Sequence, residues 1–180
     1  MKKVLFISGS LRNGSFNTSL LEAFASALPS KIESVWADIN LPLFNEDLEA
    51  EQFPAAATTL RDQILAADAI VISTPEYNRS PSGALHNAID WGSRPYGENA
   101  WAGKRVLVTS ASPGGIAGAI ANYQVKQSLL HLGAEVLGQP EFLVGNASAK
   151  FDEQGALTDA DTKEYIAAAL DTLLEPIQSN

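Results

Sequence analysis

The chain has 180 residues, 46% of them hydrophobic and 18% charged, which suits one domain over residues 1–180 with a single sizeable core. Its 12 Lys and Arg stand against 21 Asp and Glu, a net charge of −9, and no basic cluster occurs; nucleic acid and anionic membranes are therefore not expected partners. Cysteine is absent, which excludes disulfides, thiolate nucleophiles and cysteine-bound metals.

The apolar run Val4-Leu5-Phe6-Ile7 ends at Ser8-Gly9-Ser10, too short for the core of a secretion signal. No stretch reaches bilayer-spanning length, so a cytoplasmic location and no membrane insertion are expected. Val4 to Ile7 reads instead as a strand buried on both faces of a sheet. Leu20, Leu21, Phe24 and Leu28 then share one helical face. Ile32 to Ala37 alternates and suits a strand nearer an edge. Asp38 to Pro54 is irregular, with Pro42, Asn45 and the acidic residues Glu46, Asp47, Glu49 and Glu51. A loop of that length is more often functional or an interface element than idle.

Leu60 and Ile64 mark the next helix, and Ala69-Ile70-Val71-Ile72 the next buried strand. Leu85 and Ile89 follow on a helix, then the strand Val106-Leu107-Val108, then a helix bearing Leu129 and Leu132. Ala134 to Leu137 is a weaker strand. The clearest helical stripe is Ile166, Leu170, Leu173, Leu174 and Ile177, preceded by a capping Thr158-Asp159-Ala160-Asp161. Five strand-plus-helix units imply an α/β doubly wound parallel sheet in three layers. Ligands bind such sheets beyond the carboxyl ends of the strands.

Three loops fall at that edge. The first, Ser8-Gly9-Ser10-Leu11-Arg12-Asn13-Gly14-Ser15-Phe16-Asn17, leads from a buried strand into a helix. Hydroxyls, backbone N–H groups and one arginine at a helix N-terminus suit a phosphate, and equally a solvated turn in which Ser15 or Asn17 caps the helix. The dinucleotide pattern G-x-G-x-x-G and the Walker pattern are both missing, so a mononucleotide fits better. The second loop, Thr74 to Gly83, holds Tyr77 between Pro75 and Pro81, and suits either a flat heteroaromatic ring or a stiff turn with a packing tyrosine. The third, Ser110 to Gly115, lets main chain approach a ligand through Gly114 and Gly115, or serves as a flexible helix entry.

These motifs resemble the NADPH-dependent FMN reductases, which include bacterial chromate, quinone and azo-dye reductases. The resemblance is carried by Gly9-Ser10-Leu11-Arg12 with Ser15 and Asn17, by Pro75-Glu76-Tyr77-Asn78, by Gly83, Leu85 and Asn87-Ala88-Ile89-Asp90-Trp91, and by Ser112-Pro113-Gly114-Gly115. It runs from about residue 2 to about residue 175. It implies a flavodoxin-like sheet of five strands in order 2-1-3-4-5, non-covalent FMN, and NADPH or NADH as hydride donor to a small-molecule electron acceptor. Ser10, Arg12, Ser15 and Asn17 would hold the phosphate, with Phe16 among the cofactor-binding residues. Pro75, Glu76, Tyr77 and Asn78 would support the ring, Glu76 mainly through its backbone, and Ser112 and Gly114 would line its pyrimidine side. No side chain is expected to be catalytic, since the flavin N5 would carry the hydride. A homodimer or homotetramer would complete the pocket.

His86 and His131 lack a partner at ligand spacing, and no metal site is expected. The Asp38–Pro54 loop and the helix of Trp91 are expected to leave apolar, irregular surface for a subunit contact. A flavodoxin-like one-electron carrier, binding FMN without oxidising NAD(P)H, is the rival reading.

Overall fold

The β-branched and apolar runs do form the centre of a sheet. A computed structural model describes residues 1–178. In chain order it contains β1 (Lys2–Ser8), α1 (Phe16–Ser26), β2 (Ile32–Trp36), α2 (Glu46–Glu51), α3 (Ala55–Ala66), β3 (Ala69–Thr74), α4 (Gly83–Gly92), β4 (Arg105–Ala111), α5 (Ala119–His131), β5 (Glu135–Val136), β6 (Phe142–Val144) and α6 (Ala160–Gln178). The strands run parallel in the order β2-β1-β3-β4-β5, as expected, and β6 also pairs with β4.

Side chains alternate across the sheet because the strand period is two. Val4, Phe6, Val71 and Leu107 pack on one face against α1 and α6, with Leu20, Phe24, Ile166, Leu170, Leu173 and Leu174. Leu5, Ile7, Ile70, Ile72, Val106 and Val108 pack on the other, with Leu60, Leu85, Val125 and Leu129 from α3, α4 and α5. The side chain of Ile177, the last of the expected stripe, lies outside the described residues. Asp159 caps α6 as its sequence context suggested, accepting from the Thr162 N–H at 2.9 Å. Within that helix Pro176 has no N–H to offer the Thr172 carbonyl. Arg105 Nη2 supplies a donor there at 3.0 Å, and its Nε reaches the Leu173 carbonyl at 3.1 Å.

Three elements differ from the sequence reading. The fifth strand is split: Arg105 and Val106 pair with Glu135 and Val136, whereas Thr109 to Ala111 pair with Phe142 to Val144. Pro140 lies in the gap and cannot donate a ladder bond. The Asp38–Pro54 loop contains a short helix, α2, capped by Asn45, whose side chain accepts from the Asp47 N–H at 2.9 Å. Trp91 offers no surface. It is fully buried, its Nε1 donates to the Pro42 carbonyl at 2.8 Å, and Phe44 and Phe53 stack edgewise on it at 5.1 Å. Asn87 accepts from the Phe44 N–H at 2.7 Å and donates to the Pro42 carbonyl at 2.9 Å. The long loop is thus fastened to α4, and the expectation that Trp91 adds surface for a subunit contact is wrong.

Candidate active site

The carboxyl ends of β1, β3 and β4 carry the three loops. The first turns into α1 through Ser15, whose side chain accepts from the Asn17 N–H at 3.2 Å, an N-cap with extended backbone. Ser10 Oγ accepts from the Arg12 N–H at 3.3 Å. Ser10 and Ser15 are buried, while Arg12 is exposed, its Nη1 donating to the Asn13 carbonyl at 3.1 Å. A cavity of about 740 Å³ opens here, lined by Ser10, Arg12, Ser15 and Phe16. Arg12 is the sole cation among the described lining residues, which also include Glu22, Asp38, Asp152 and Glu153. Phe16 also packs on Phe151 at 5.6 Å, anchoring the segment that brings Asp152 to Gly155 to the cavity wall.

The loop after β3 is shaped by a tight turn. Tyr77 and Ser80 exchange both backbone hydrogen bonds, at 2.9 and 3.0 Å. Asn78 and Arg79 between them have φ of 53° and 64°, the pattern of a type I′ turn, in which arginine is strained. The neighbours hold that strain. Glu76 accepts from the Ile120 and Ala121 N–H groups at 3.0 and 3.1 Å and pairs with Arg79 at 2.8 Å, and Gln124 donates to the Arg79 carbonyl at 2.9 Å. Burial alone would raise the Glu76 pKa, but the Ala121 N–H, Arg79 and the Ile120 N–H together hold it below the ordinary value. The Glu76 carboxylate is thereby committed to the start of α5 and to Arg79. Tyr77 is left half exposed on the turn.

The loop after β4 faces this turn across a cavity of about 360 Å³, lined by Glu76, Asn78, Arg79, Ser112, Gly114 and Gly115. A Cβ on Gly115 would meet nothing within 4 Å, and one on Gly114 only Ser112 Oγ at 3.7 Å. The folded chain does not itself require glycine at either position; the open space in front of them admits a ligand. The loops are fastened to one another. A Cβ on Gly9 would lie 2.8 Å from Pro75 Cδ, the Gly9 N–H donates to the Ser73 carbonyl at 2.8 Å, and Ser82 Oγ donates to the Gly9 carbonyl at 2.5 Å.

The expected residues thus divide between two places. Ser10, Arg12, Ser15 and Phe16 line the first cavity, and Glu76, Asn78, Ser112 and Gly114 the second. Pro75 locks the loops together, and Tyr77, half exposed on its turn, lines neither cavity. Asn17 is buried, with its carboxamide engaged by Ala111 and Ser73. Sequence reading missed Arg79 and the Asp152–Gly155 segment, neither of which has a motif. It also separated the two histidines, which line one cleft of about 340 Å³ with Asp90 between α4 and α5. Burial raises the Asp90 pKa, against opposing charges on His86 and Arg94. Among the described residues no group of three His, Asp or Glu is placed to hold a metal ion.

A parallel sheet in this order, with a cavity of about 740 Å³ after β1 and an open-faced slot after β3 and β4, defines a flavodoxin-like protein. The family model for NADPH-dependent FMN reductase matches residues 2–149, and the chain belongs to that family. It is 42% identical over 178 residues to a quinone reductase of Pseudomonas putida, covering 98% of this chain and 95% of that one. It is 44% identical over 172 residues to an NAD(P)H-dependent FMN reductase of Pseudomonas aeruginosa, covering 95% and 92%. Its structure resembles the flavoenzyme NAD(P)H:acceptor oxidoreductase FerB of Paracoccus denitrificans with a TM-score of 0.90 and 36% identity, over 99% and 98% of the two chains.

Proposed function

We propose that this protein is an FMN-dependent NAD(P)H oxidoreductase whose acceptors are small planar molecules, quinones foremost. The observation that carries the proposal is the pairing of a hydroxyl-lined cradle holding one arginine with an open slot between the Tyr77 turn and the Gly114–Gly115 wall. FMN fits this donor set and, when bound, supplies a ring that accepts hydride from a nicotinamide and returns it to an acceptor. The chain contributes placement. Ser10, Ser15 and Arg12 hold the phosphate, and the helix dipole of α1 favours its charge. The Ser112 N–H is engaged by the Val144 carbonyl and the Gly114 N–H by Ser112 Oγ, so of this loop's amides the Gly115 N–H would meet negative charge developing on the ring. The slot admits one planar partner at a time, so donor and acceptor alternate there.

Anaerobic titration of the flavin-loaded protein with NADPH and with NADH, followed by a benzoquinone, tests this reading. The yellow absorbance is expected to bleach with at least one nicotinamide and to return with the quinone, and double-reciprocal plots should be parallel. Protein that stays yellow with both nicotinamides is an electron carrier instead, and the oxidoreductase reading falls.

The same reading includes a homo-oligomer. Ile120, Tyr123 and Leu130, which recur at helical spacing, are 40, 52 and 58% exposed on the outer face of α5, and Ile116 precedes them. The helix itself has no acidic residue in a chain of net charge −9, and the Tyr123 hydroxyl donates to Glu141 beside it. Because Glu76 caps α5, the stripe begins beside the slot. Light scattering should report a dimer or tetramer, and a micromolar monomer with full activity would remove this element.

A further inference from the structure

We infer that Asn17 is a positioning residue: its carboxamide clamps the phosphate cradle to the ring-facing end of β4. This rests on the FMN reading above. Asn17 stands in the first turn of α1 and is 4% exposed. Its Nδ2 donates to the Ala111 carbonyl at 3.0 Å, and its Oδ1 accepts from the Ala111 N–H at 3.0 Å and from Ser73 Oγ at 2.8 Å. Three of the four hydrogen bonds open to a carboxamide are therefore committed within the fold.

The place of these bonds gives them their role. β3 pairs with β4 only as far as Thr74 opposite Ser110. Ala111 is the next residue, and Asn17 addresses both its N–H and its carbonyl, as the side chain of a neighbouring strand's backbone substitute. Ser112 and Gly114, on the wall of the slot, follow within three residues. Ser15, on the wall of the cradle, lies two residues before Asn17 and is bonded to its N–H. A cofactor held at both ends needs the two walls at a fixed separation, and a misplacement of about 1 Å at a reacting ring can cost on the order of a hundredfold in rate. Asn17 joins the two walls directly, across 94 residues of sequence.

The test compares FMN with riboflavin, which carries the same ring without the phosphate. A phosphate ligand matters for FMN alone, whereas a clamp matters for both. Asn17→Ala is expected to weaken FMN and riboflavin alike by about tenfold or more, and to flatten the visible circular dichroism of the bound flavin. Ser73→Ala removes one bond of the same clamp from a fully buried strand position that does not line the cradle, and leaves the Ser73 carbonyl bond to Gly9 in place. It should shift both affinities the same way by about two- to fivefold, and it keeps the test decisive if Asn17→Ala does not fold. A loss confined to FMN in Asn17→Ala would make Asn17 a phosphate ligand and overturn the clamp. Ser73→Ala with wild-type affinity and dichroism would overturn it too. Wild-type protein that binds neither flavin would reject the FMN reading itself, and that result is read before any variant.

Discussion

The cradle after β1 and the turn after β3, which in the proposed reading would take opposite ends of one ligand, are built differently. The cradle is shaped by local bonds, Ser15 Oγ accepting from the Asn17 N–H and Ser10 Oγ from the Arg12 N–H, and is anchored at its base through Asn17 and Gly9, while its single cation remains exposed. The turn stores strain at Asn78 and Arg79, and Glu76 and Gln124 fix it from α5. An anion with three equivalent oxygens tolerates a loosely held donor set, because charge falls off slowly with distance. A reacting ring does not tolerate displacement. In the proposed reading the first loop supplies affinity and the second supplies geometry.

The sharpest way to break that division is Tyr77→Ala. Phosphate and backbone contacts remain, so flavin should be retained, while turnover falls on the order of a hundredfold as the ring loses a fixed pose. A fully active variant would remove the tyrosine from the mechanism. Arg12→Ala should do the reverse. A charge-assisted bond contributes about 1.5–3 kcal/mol, so FMN should bind roughly ten- to hundredfold more weakly, with riboflavin affinity and the turnover of saturated enzyme little changed. Equal loss for both flavins would deny the cradle its role as a phosphate site.

Glu76→Gln sharpens the contrast through pH. The folded-state pKa of Glu76 lies below its ordinary value of 4.5, so its stabilising contribution is present above that pH and is lost as the pH falls through the lower, folded value. Wild type should therefore melt higher than Glu76→Gln near neutrality, with the gap closing below about pH 4.5 in thermal melts. A gap independent of pH would mean that the carboxylate charge does not hold the turn. The smallest effect belongs to the cradle: Gly14 has φ of 62° with open space around a would-be Cβ, so Gly14→Ala meets only backbone strain. That strain is about 1 kcal/mol, or roughly 2–4 °C in Tm for a chain of this size.

The parallel sheet and the three loops at its carboxyl edge were legible in the sequence, because buried parallel strands read as unbroken apolar runs; the strand order came only with the family resemblance. What was not legible is how residues distant in sequence engage one another. Trp91 looked like surface to spare until Pro42, Phe44 and Phe53 were found folded over it. Asn17 carried the residue type of a phosphate ligand, and only the fold reveals Ala111 and Ser73 as its partners. His86 and His131, isolated in sequence, share a cleft because α4 and α5 are neighbours. The split of the fifth strand left one local mark, Pro140, in a segment already weak in β-branched residues.

That split has a consequence for the life of the protein at high concentration. An open sheet ends in a row of unpaired amides, a ready template on which another chain can add a strand and begin a fibril. Here the margin beyond β4 is broken into pieces of two and three residues with an imino acid between them. The opposite margin, β2, carries Glu33 half exposed and facing Lys3 at 3.9 Å. Neither border offers a long, flat, uncharged run of donors and acceptors. Crowded copies are steered away from cross-strand stacking, and their contacts are left to the helices.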